Sequence, residues 1–107
     1  MKLNVGDRIT LLGVLPQEGN FITLKIIRDL QGKLSFQEAE LKKYEIKQEQ
    51  DGDKVRTTWN EKGITEENEI EIGEKATDII VKALKKIDEL EKLTPPQMSV
   101  YEKFIKP

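Results

Sequence analysis

The chain has 107 residues, of which 36% are hydrophobic and 36% charged, with a formal net charge of −2. A chain of this length suits one domain with a modest core, and we predict a single domain spanning residues 1–107. The near balance of acids and bases gives no overall attraction to a phosphate backbone. Cys and His are absent, which removes disulfides, the common zinc ligands, the usual general base and the thiol nucleophile. We therefore expect no enzyme, no catalytic residues, no cofactor and no metal site.

The N-terminal stretch MKLNVGDRIT contains no continuous apolar region of the kind found in signal peptides. No apolar run approaches the roughly 18–20 residues that a membrane-spanning helix needs. These two observations predict a cytoplasmic protein with no membrane partner.

Two helices are predicted in the N-terminal third of the chain. Asn4 is a suitable N-cap for the first, and Pro16 ends it. Residues 21–31 are apolar at both strand and helix spacing, so both assignments are open. The preceding Asn20, the length of the segment and the terminal Gly32 favour a helix. Because its apolar residues cover more than one face, such a helix should be central and buried.

The middle of the chain is predicted to form a short helix and a small sheet. Ser35 and Glu38 have the spacing of a capping box for a third helix that ends near Lys43. The turn sequence DGD then joins two strands of an antiparallel hairpin. One face of the hairpin is expected on the core (Tyr44, Ile46, Val55 and Trp59), with charged residues on the other. Ile70 and Ile72 are expected in a third strand.

The C-terminal part is predicted to be a helical hairpin. A long helix should begin just after Gly73 and bury a stripe at helical spacing (Ala76, Ile79, Ile80, Ala83, Leu84, Ile87 and Leu90). Thr94 and Gln97 form a second capping box, with Pro95 at the first helical position. The final helix should turn Met98, Tyr101, Phe104 and Ile105 inward. The fold class is thus α+β, with N-terminal helices, a three-stranded antiparallel sheet and a C-terminal helical hairpin.

Two groups of residues are candidates for binding. If residues 11–30 act as a helix-turn-helix, Lys25, Arg28 and Lys33 would contact nucleic acid, although core packing explains this segment more simply. The last helix carries more apolar surface than one stripe uses, which suggests homo-oligomer formation through Val100, Tyr101, Phe104 and Ile105. Trp59 is expected to anchor the sheet to the helices.

The segments LLGVLPQEGNFITLKIIRDL, LSFQEAELKKYEI, TTWNEKG, EIEIGEKATDIIVKALKKIDELEKLT and SVYEKFI together resemble a family of small bacteriophage and prophage proteins. The resemblance implies an accessory protein that binds a host or virion component in the host cell cytoplasm, and it assigns no functional residues. We therefore expect a non-enzymatic protein that acts by protein–protein interaction and self-associates. A nucleic-acid-binding regulator and a virion or assembly component are the alternatives.

Overall fold

The structure, a computed structural model, describes residues 1–105. Its elements follow in chain order: β1 Lys2–Leu3, α1 Val5–Val14, α2 Phe21–Leu34, α3 Glu38–Lys43, β2 Lys47–Asp51, β3 Lys54–Thr58, α4 Glu61–Thr65, β4 Asn68–Glu69, α5 Glu74–Glu89 and α6 Pro95–Phe104. The α+β class is confirmed. No helix within residues 1–105 is long and apolar enough to cross a bilayer.

The two N-terminal helices form where they were predicted. The Asn4 side chain accepts a hydrogen bond from the Asp7 N–H (2.8 Å), and the Asn20 side chain accepts one from the Thr23 N–H (2.8 Å). Each bond satisfies a backbone donor that has no partner inside the helix. Residues 21–31 are therefore helical, which resolves the helix-or-strand alternative.

The prediction that α2 is the central buried helix was wrong. Only Ile27, Leu30 and Leu34 of α2 are buried. The central position belongs to α1, which packs against α2, α4, α5 and α6. The buried core joins the helices through one cluster of side chains: Leu3, Leu11, Val14, Leu15, Ile27, Leu30, Leu34, Ala76, Ile80, Leu84 and Val100.

The third helix ends at Lys43 as expected, but its start was misplaced. The capping box is formed by Gln37 and Glu40 rather than by Ser35 and Glu38. Ser35 instead ends α2, and its hydroxyl donates to the Gln31 carbonyl at 2.6 Å. Hydroxyl side chains bond readily to nearby backbone groups at either end of a helix, so the residue pattern alone did not decide between the two ends.

The predicted three-stranded sheet is instead two separate antiparallel pairs within residues 1–105. β2 and β3 form the expected hairpin, and Gly52 supplies the left-handed conformation of its turn (φ +66°). β4 pairs with β1, so that Lys2 faces Glu69 and Leu3 faces Asn68. Ile70 and Ile72 follow this pair and pack against the core without joining a strand.

The C-terminal helices confirm most of their predicted features. α5 begins directly after Gly73, and the Thr94–Gln97 capping box starts α6 with Pro95 at its first position. The predicted stripe packs on the core from Ala76 to Ile87. Leu90 and Met98 are exposed, contrary to expectation. Leu90 lies beyond the end of α5 at Glu89, where the chain turns toward α6.

Candidate functional site

The first exposed apolar surface lies at the N-terminal end of α2. Phe21 is 78% exposed, Ile22 66% and Leu24 38%, and we call these three residues the α2 patch. The helix is held on the core by Ile27, Leu30 and Leu34. Phe21 and Leu24 border the same shallow depression, and exposed apolar surface of this kind is typical of sites that bind another protein.

The three basic residues predicted to bind nucleic acid do not form one surface. Lys25 and Arg28 are exposed and line a shallow depression of about 170 Å³ together with Phe21 and Leu24. Lys33 is also exposed, but it lines a different groove, beside Glu71 and Glu74. Of the three predicted residues, Lys25 and Arg28 therefore place positive charge next to the α2 patch, and Lys33 does not.

The residues predicted for self-association lie mostly in the protein's own core. Val100 is fully buried, so it cannot contact another molecule without unfolding of α6. Tyr101, Phe104 and Ile105 are partly buried and pack against the same core. The Tyr101 hydroxyl donates to Asp88 at 3.3 Å, and burial raises the pKa of this phenol, with the Asp88 charge adding to the effect. The apolar excess of the last helix is thus used largely inside the molecule.

A buried arginine that no pattern in the sequence indicated joins the first three helices. Arg8 is 2% exposed. Its Nε donates to the Leu34 carbonyl (3.1 Å), its Nη2 to the Ser35 carbonyl (2.7 Å), and its Nη1 to Glu40 Oε2 (2.6 Å). The guanidinium also lies over the Phe36 ring, 4.1 Å from its centroid. The hydrogen bond from Arg8 holds the pKa of Glu40 below its usual range.

A second ionic cluster joins α1 to α6. Lys103 Nζ donates to Asp7 Oδ2 and to Glu67 Oε2, both at 2.6 Å, and the Ser99 hydroxyl donates to Asp7 Oδ1 at 3.3 Å. Burial acts to lower the pKa of Lys103, but the bonds to Asp7 and Glu67 outweigh it, and the pKa is raised. Asp7 is thus matched by a cation at close range, and removal of Lys103 would leave this buried carboxylate without its ionic partner.

The β2–β3 hairpin has two chemically different faces. The pairs Gln48–Thr57 and Gln50–Val55 make one face without any charge. The pairs Glu49–Arg56 and Asp51–Lys54, together with Lys47 opposite Thr58, place the charges on the other face. The expected arrangement of charged and uncharged residues is present. The expected packing on the core holds in part: Tyr44 is buried, and Ile46 and Trp59 are partly buried, but Val55 is 66% exposed.

A groove of about 520 Å³ separates the uncharged face of the hairpin from the helices. Val55, Thr57 and Trp59 line it on the hairpin side, and the helices contribute the rest of the lining: Asn4, Gly6, Asp7, Ile9, Thr10, Ile64, Pro96 and Ser99. Asp7 is the one charged residue in this lining within the described part of the chain, and Lys103 neutralises it. The groove is therefore mainly apolar, with the hydroxyl groups of Thr10, Thr57 and Ser99 among its lining.

Trp59 is fixed at the base of the hairpin by two close helix contacts. A Cβ atom added at Gly6 of α1 would lie 3.3 Å from the indole, and one added at Gly63 of α4 would lie 2.8 Å from it. The absence of side chains at both positions lets the ring approach the helix backbones. Trp59 thus ties the hairpin to α1 and α4, as predicted, and it also forms part of the groove wall.

The α2 patch had a signal in the sequence. Apolar residues occupy positions 21, 22, 24, 26 and 27, and a helix on the surface of a small domain can bury only one stripe of them. The groove had no such signal, because its two walls are distant in the chain. The partners of Arg8 had none either, because they too are distant from Arg8 in the chain.

Within residues 1–105, no three carboxylate side chains are placed to hold a metal ion. Comparison of the chain with protein-family models, with curated proteins and with solved structures found no match in any of the three.

Proposed function

We propose that this protein is a non-catalytic interaction module that self-associates through the α2 patch. The exposure of Phe21, Ile22 and Leu24 on a well-anchored helix is the observation that carries the proposal. Burial of apolar surface is the main favourable term in protein association, at about 25 cal/mol per Å². The folded monomer leaves this surface in water, and a second copy would remove it.

Charge around the α2 patch favours an antiparallel pairing of two α2 helices. Glu18 precedes the patch in the chain, whereas Lys25 and Arg28 follow it. In a two-fold contact centred on Ile22, the start of one α2 lies against the middle of the other. Glu18 of each copy is then close to Lys25 and Arg28 of the other, so that opposite charges flank the apolar centre.

Sedimentation velocity over a range of protein concentrations tests this proposal. The natural chain should show a concentration-dependent dimer, and Ile22→Gln should shift the dissociation constant upward by about tenfold or more. Leu90→Gln is the matched control. Leu90 is also an exposed apolar residue, but it lies at the C-terminal end of α5, whereas α5 approaches α2 at its N-terminal end. A natural chain that stays monomeric at high micromolar concentration contradicts the proposal, as does an equal effect of the two variants.

Nucleic-acid binding is a second candidate, favoured by the exposed pair Lys25 and Arg28 on one face of α2. Such an interface must weaken steeply as salt increases, because bound cations are released from the phosphates. A duplex-binding titration at two salt concentrations, repeated with Lys25→Ala, tests this candidate. Binding that is absent at low salt would reject it, and dimerisation that persists at high salt would support the apolar contact instead.

A role as a phage or prophage accessory protein is compatible with a self-associating module and remains a proposal based on the sequence resemblance. The proposal predicts that a tagged copy of this chain, captured from infected or lysogenic cells, brings down untagged copies of the same chain. Detection of the chain in purified particles would instead favour the virion alternative.

A further inference from the structure

The hairpin has an unsatisfied edge beside the groove. Within residues 1–105, β3 is hydrogen-bonded to β2 on one side, and we call its other side the open edge. An edge strand presents backbone N–H and C=O groups that can pair with another strand. A two-stranded hairpin is marginally stable by itself, and β2 and β3 pack chiefly against each other. A third strand would therefore form hydrogen bonds with the free backbone groups of β3 and would also stabilise the hairpin.

The groove would receive every second side chain of such a strand. Residues of a strand alternate between the two faces of its sheet, so a strand added to β3 turns half of its side chains toward Val55, Thr57 and Trp59. The volume of about 520 Å³ accommodates several apolar side chains. Since Lys103 already neutralises Asp7, a charged side chain would enter this groove without a partner and would be disfavoured.

The face of β3 that points away from the groove favours charged rather than apolar side chains in an added strand. Lys54 and Arg56 are the charged residues of β3, and both are exposed on the face away from the groove. Asp51 and Glu49 lie opposite them on the β2 side, and no residue of the hairpin lies beside them at the open edge. Cross-strand neighbours of opposite charge stabilise a sheet, and neighbours of like charge destabilise it. A strand beside β3 is therefore favoured when it carries acidic residues on this face.

We propose that the open edge of β3 and the adjoining groove bind an extended segment of a partner protein in which acidic and apolar residues alternate. The backbone of the segment adds a third strand to the hairpin, its apolar side chains enter the groove beside Trp59, and its carboxylates lie beside Lys54 and Arg56. This site is separate from the α2 patch, and it does not depend on self-association.

A second copy of the chain is a poor occupant for this site. If two β3 strands paired edge to edge, Lys54 and Arg56 of one copy would lie against the same cations of the other. The chain has its own acidic and apolar alternation at residues 69–72. That segment is engaged, because Glu69 pairs with Lys2 and the Ile70 N–H donates to the Met1 carbonyl at 2.9 Å.

Trp59 provides a direct assay, since it is the single tryptophan of the chain and lines the groove. The probe is a short peptide of alternating Val and Glu with acetylated and amidated ends. We expect a saturable change in Trp59 emission with one peptide per chain. A peptide with Pro at its centre cannot complete the strand pairing and should bind at least about tenfold more weakly. Equal responses to the two peptides would overturn the proposal.

Two neighbouring threonines separate groove binding from general electrostatic attraction. Thr57→Lys places a charge in the groove and should weaken binding of the Val/Glu peptide by about tenfold or more. Thr58→Lys adds the same charge on the opposite face, near the carboxylates of the peptide, and should leave binding unchanged or strengthen it. If both variants strengthen binding, the attraction is non-specific and the proposal fails. If both weaken it to the same extent with unchanged thermal unfolding, the assigned faces are wrong and the proposal also fails.

The Ile22→Gln variant keeps this test independent of the proposed function. It should lose self-association and bind the peptide with unchanged affinity. Loss of peptide binding in this variant, while its helical circular dichroism is unchanged, would assign the peptide to the α2 patch and overturn the β3 site.

Discussion

Arg8 and Glu40 are 32 positions apart in the chain and form a salt bridge of 2.6 Å. The same guanidinium donates to the carbonyls of Leu34 and Ser35, where α2 ends. A cation at the C-terminal end of a helix is favoured by the helix dipole, and the planar guanidinium can serve two carbonyls and a carboxylate together. Arg8 therefore fixes the corner between α2 and α3 against α1.

Replacing Arg8 should cost more stability than replacing its acidic partner. Arg8→Ala leaves the buried Leu34 carbonyl and the partly buried Ser35 carbonyl without this donor and removes the contact with Phe36, so we expect a loss of about 3 kcal/mol in the free energy of unfolding. Glu40→Gln keeps a hydrogen-bond acceptor in place and should cost about 1–2 kcal/mol. Urea unfolding followed by circular dichroism measures both changes.

Glu38→Gln is the control for this pair of variants. Glu38 lies in the same first turn of α3, and its partner Lys42 is 3.8 Å away on an exposed surface. Exposed pairs of this spacing contribute little, so the change should stay within about 0.5 kcal/mol. If Glu40→Gln costs no more than Glu38→Gln, the salt bridge between Arg8 and Glu40 does not hold the corner.

Stability should fall in acid because of Glu40. Its pKa is lowered in the folded protein from the usual 4.5, so the unfolded chain takes up this proton first as the pH falls. The stabilisation is therefore complete above pH 4.5 and is lost as the pH falls through the folded-state pKa. Urea midpoints measured from neutral pH downward should decline less steeply for Glu40→Gln than for the natural chain. Parallel curves for the two proteins would contradict this prediction.

Because of Lys103, stability should also fall in alkali. Its pKa is raised from 10.5 by Asp7 and Glu67, which outweigh the effect of burial. Its contribution is therefore complete below pH 10.5 and is lost as the pH rises through the folded-state pKa. Lys103→Met should flatten the alkaline part of the urea-midpoint curve, and an unchanged slope would argue against the cluster.

The contact between Gly63 and Trp59 can be tested with a pair of glycine variants. Gly63→Ala would bring a Cβ to 2.8 Å from the indole and 3.1 Å from Val5, so we expect a loss of about 1–3 kcal/mol from overpacking and a shift in Trp59 emission. Gly32→Ala meets nothing within 4 Å inside α2 and should be neutral or stabilise by up to about 1 kcal/mol. Similar effects of the two changes would show that Trp59 does not need the bare backbone of α4.

The antiparallel pairing of α2 helices predicts a charge rescue. Glu18→Lys should weaken the dimer because its new charge meets Lys25 of the second copy, and the double variant Glu18→Lys with Lys25→Glu should recover most of the loss. Sedimentation velocity at low salt is the measurement. A double variant that is weaker than either single variant would exclude this orientation.

Part of the groove could be anticipated from local pattern. The alternation of residues 44–59 predicted the hairpin, its charged face and the role of Trp59 as an anchor. The opposite wall, with Ile9 of α1 and Pro96 of α6, could not be anticipated, because nothing in either segment indicates that α6 would pack against α1.

The sequence by itself determined the features that depend on residues three or four positions apart. Asn4, Asn20 and the Thr94–Gln97 box begin their helices through hydrogen bonds to nearby backbone groups, and Gly52 allows the hairpin turn. The tertiary structure alone decided which apolar stripe was buried, why α2 kept Phe21 and Ile22 in water, and how Arg8 and Asp7 found their partners. These outcomes depend on surfaces brought together from distant parts of the chain, and the local periodicity of a segment does not specify its distant neighbour.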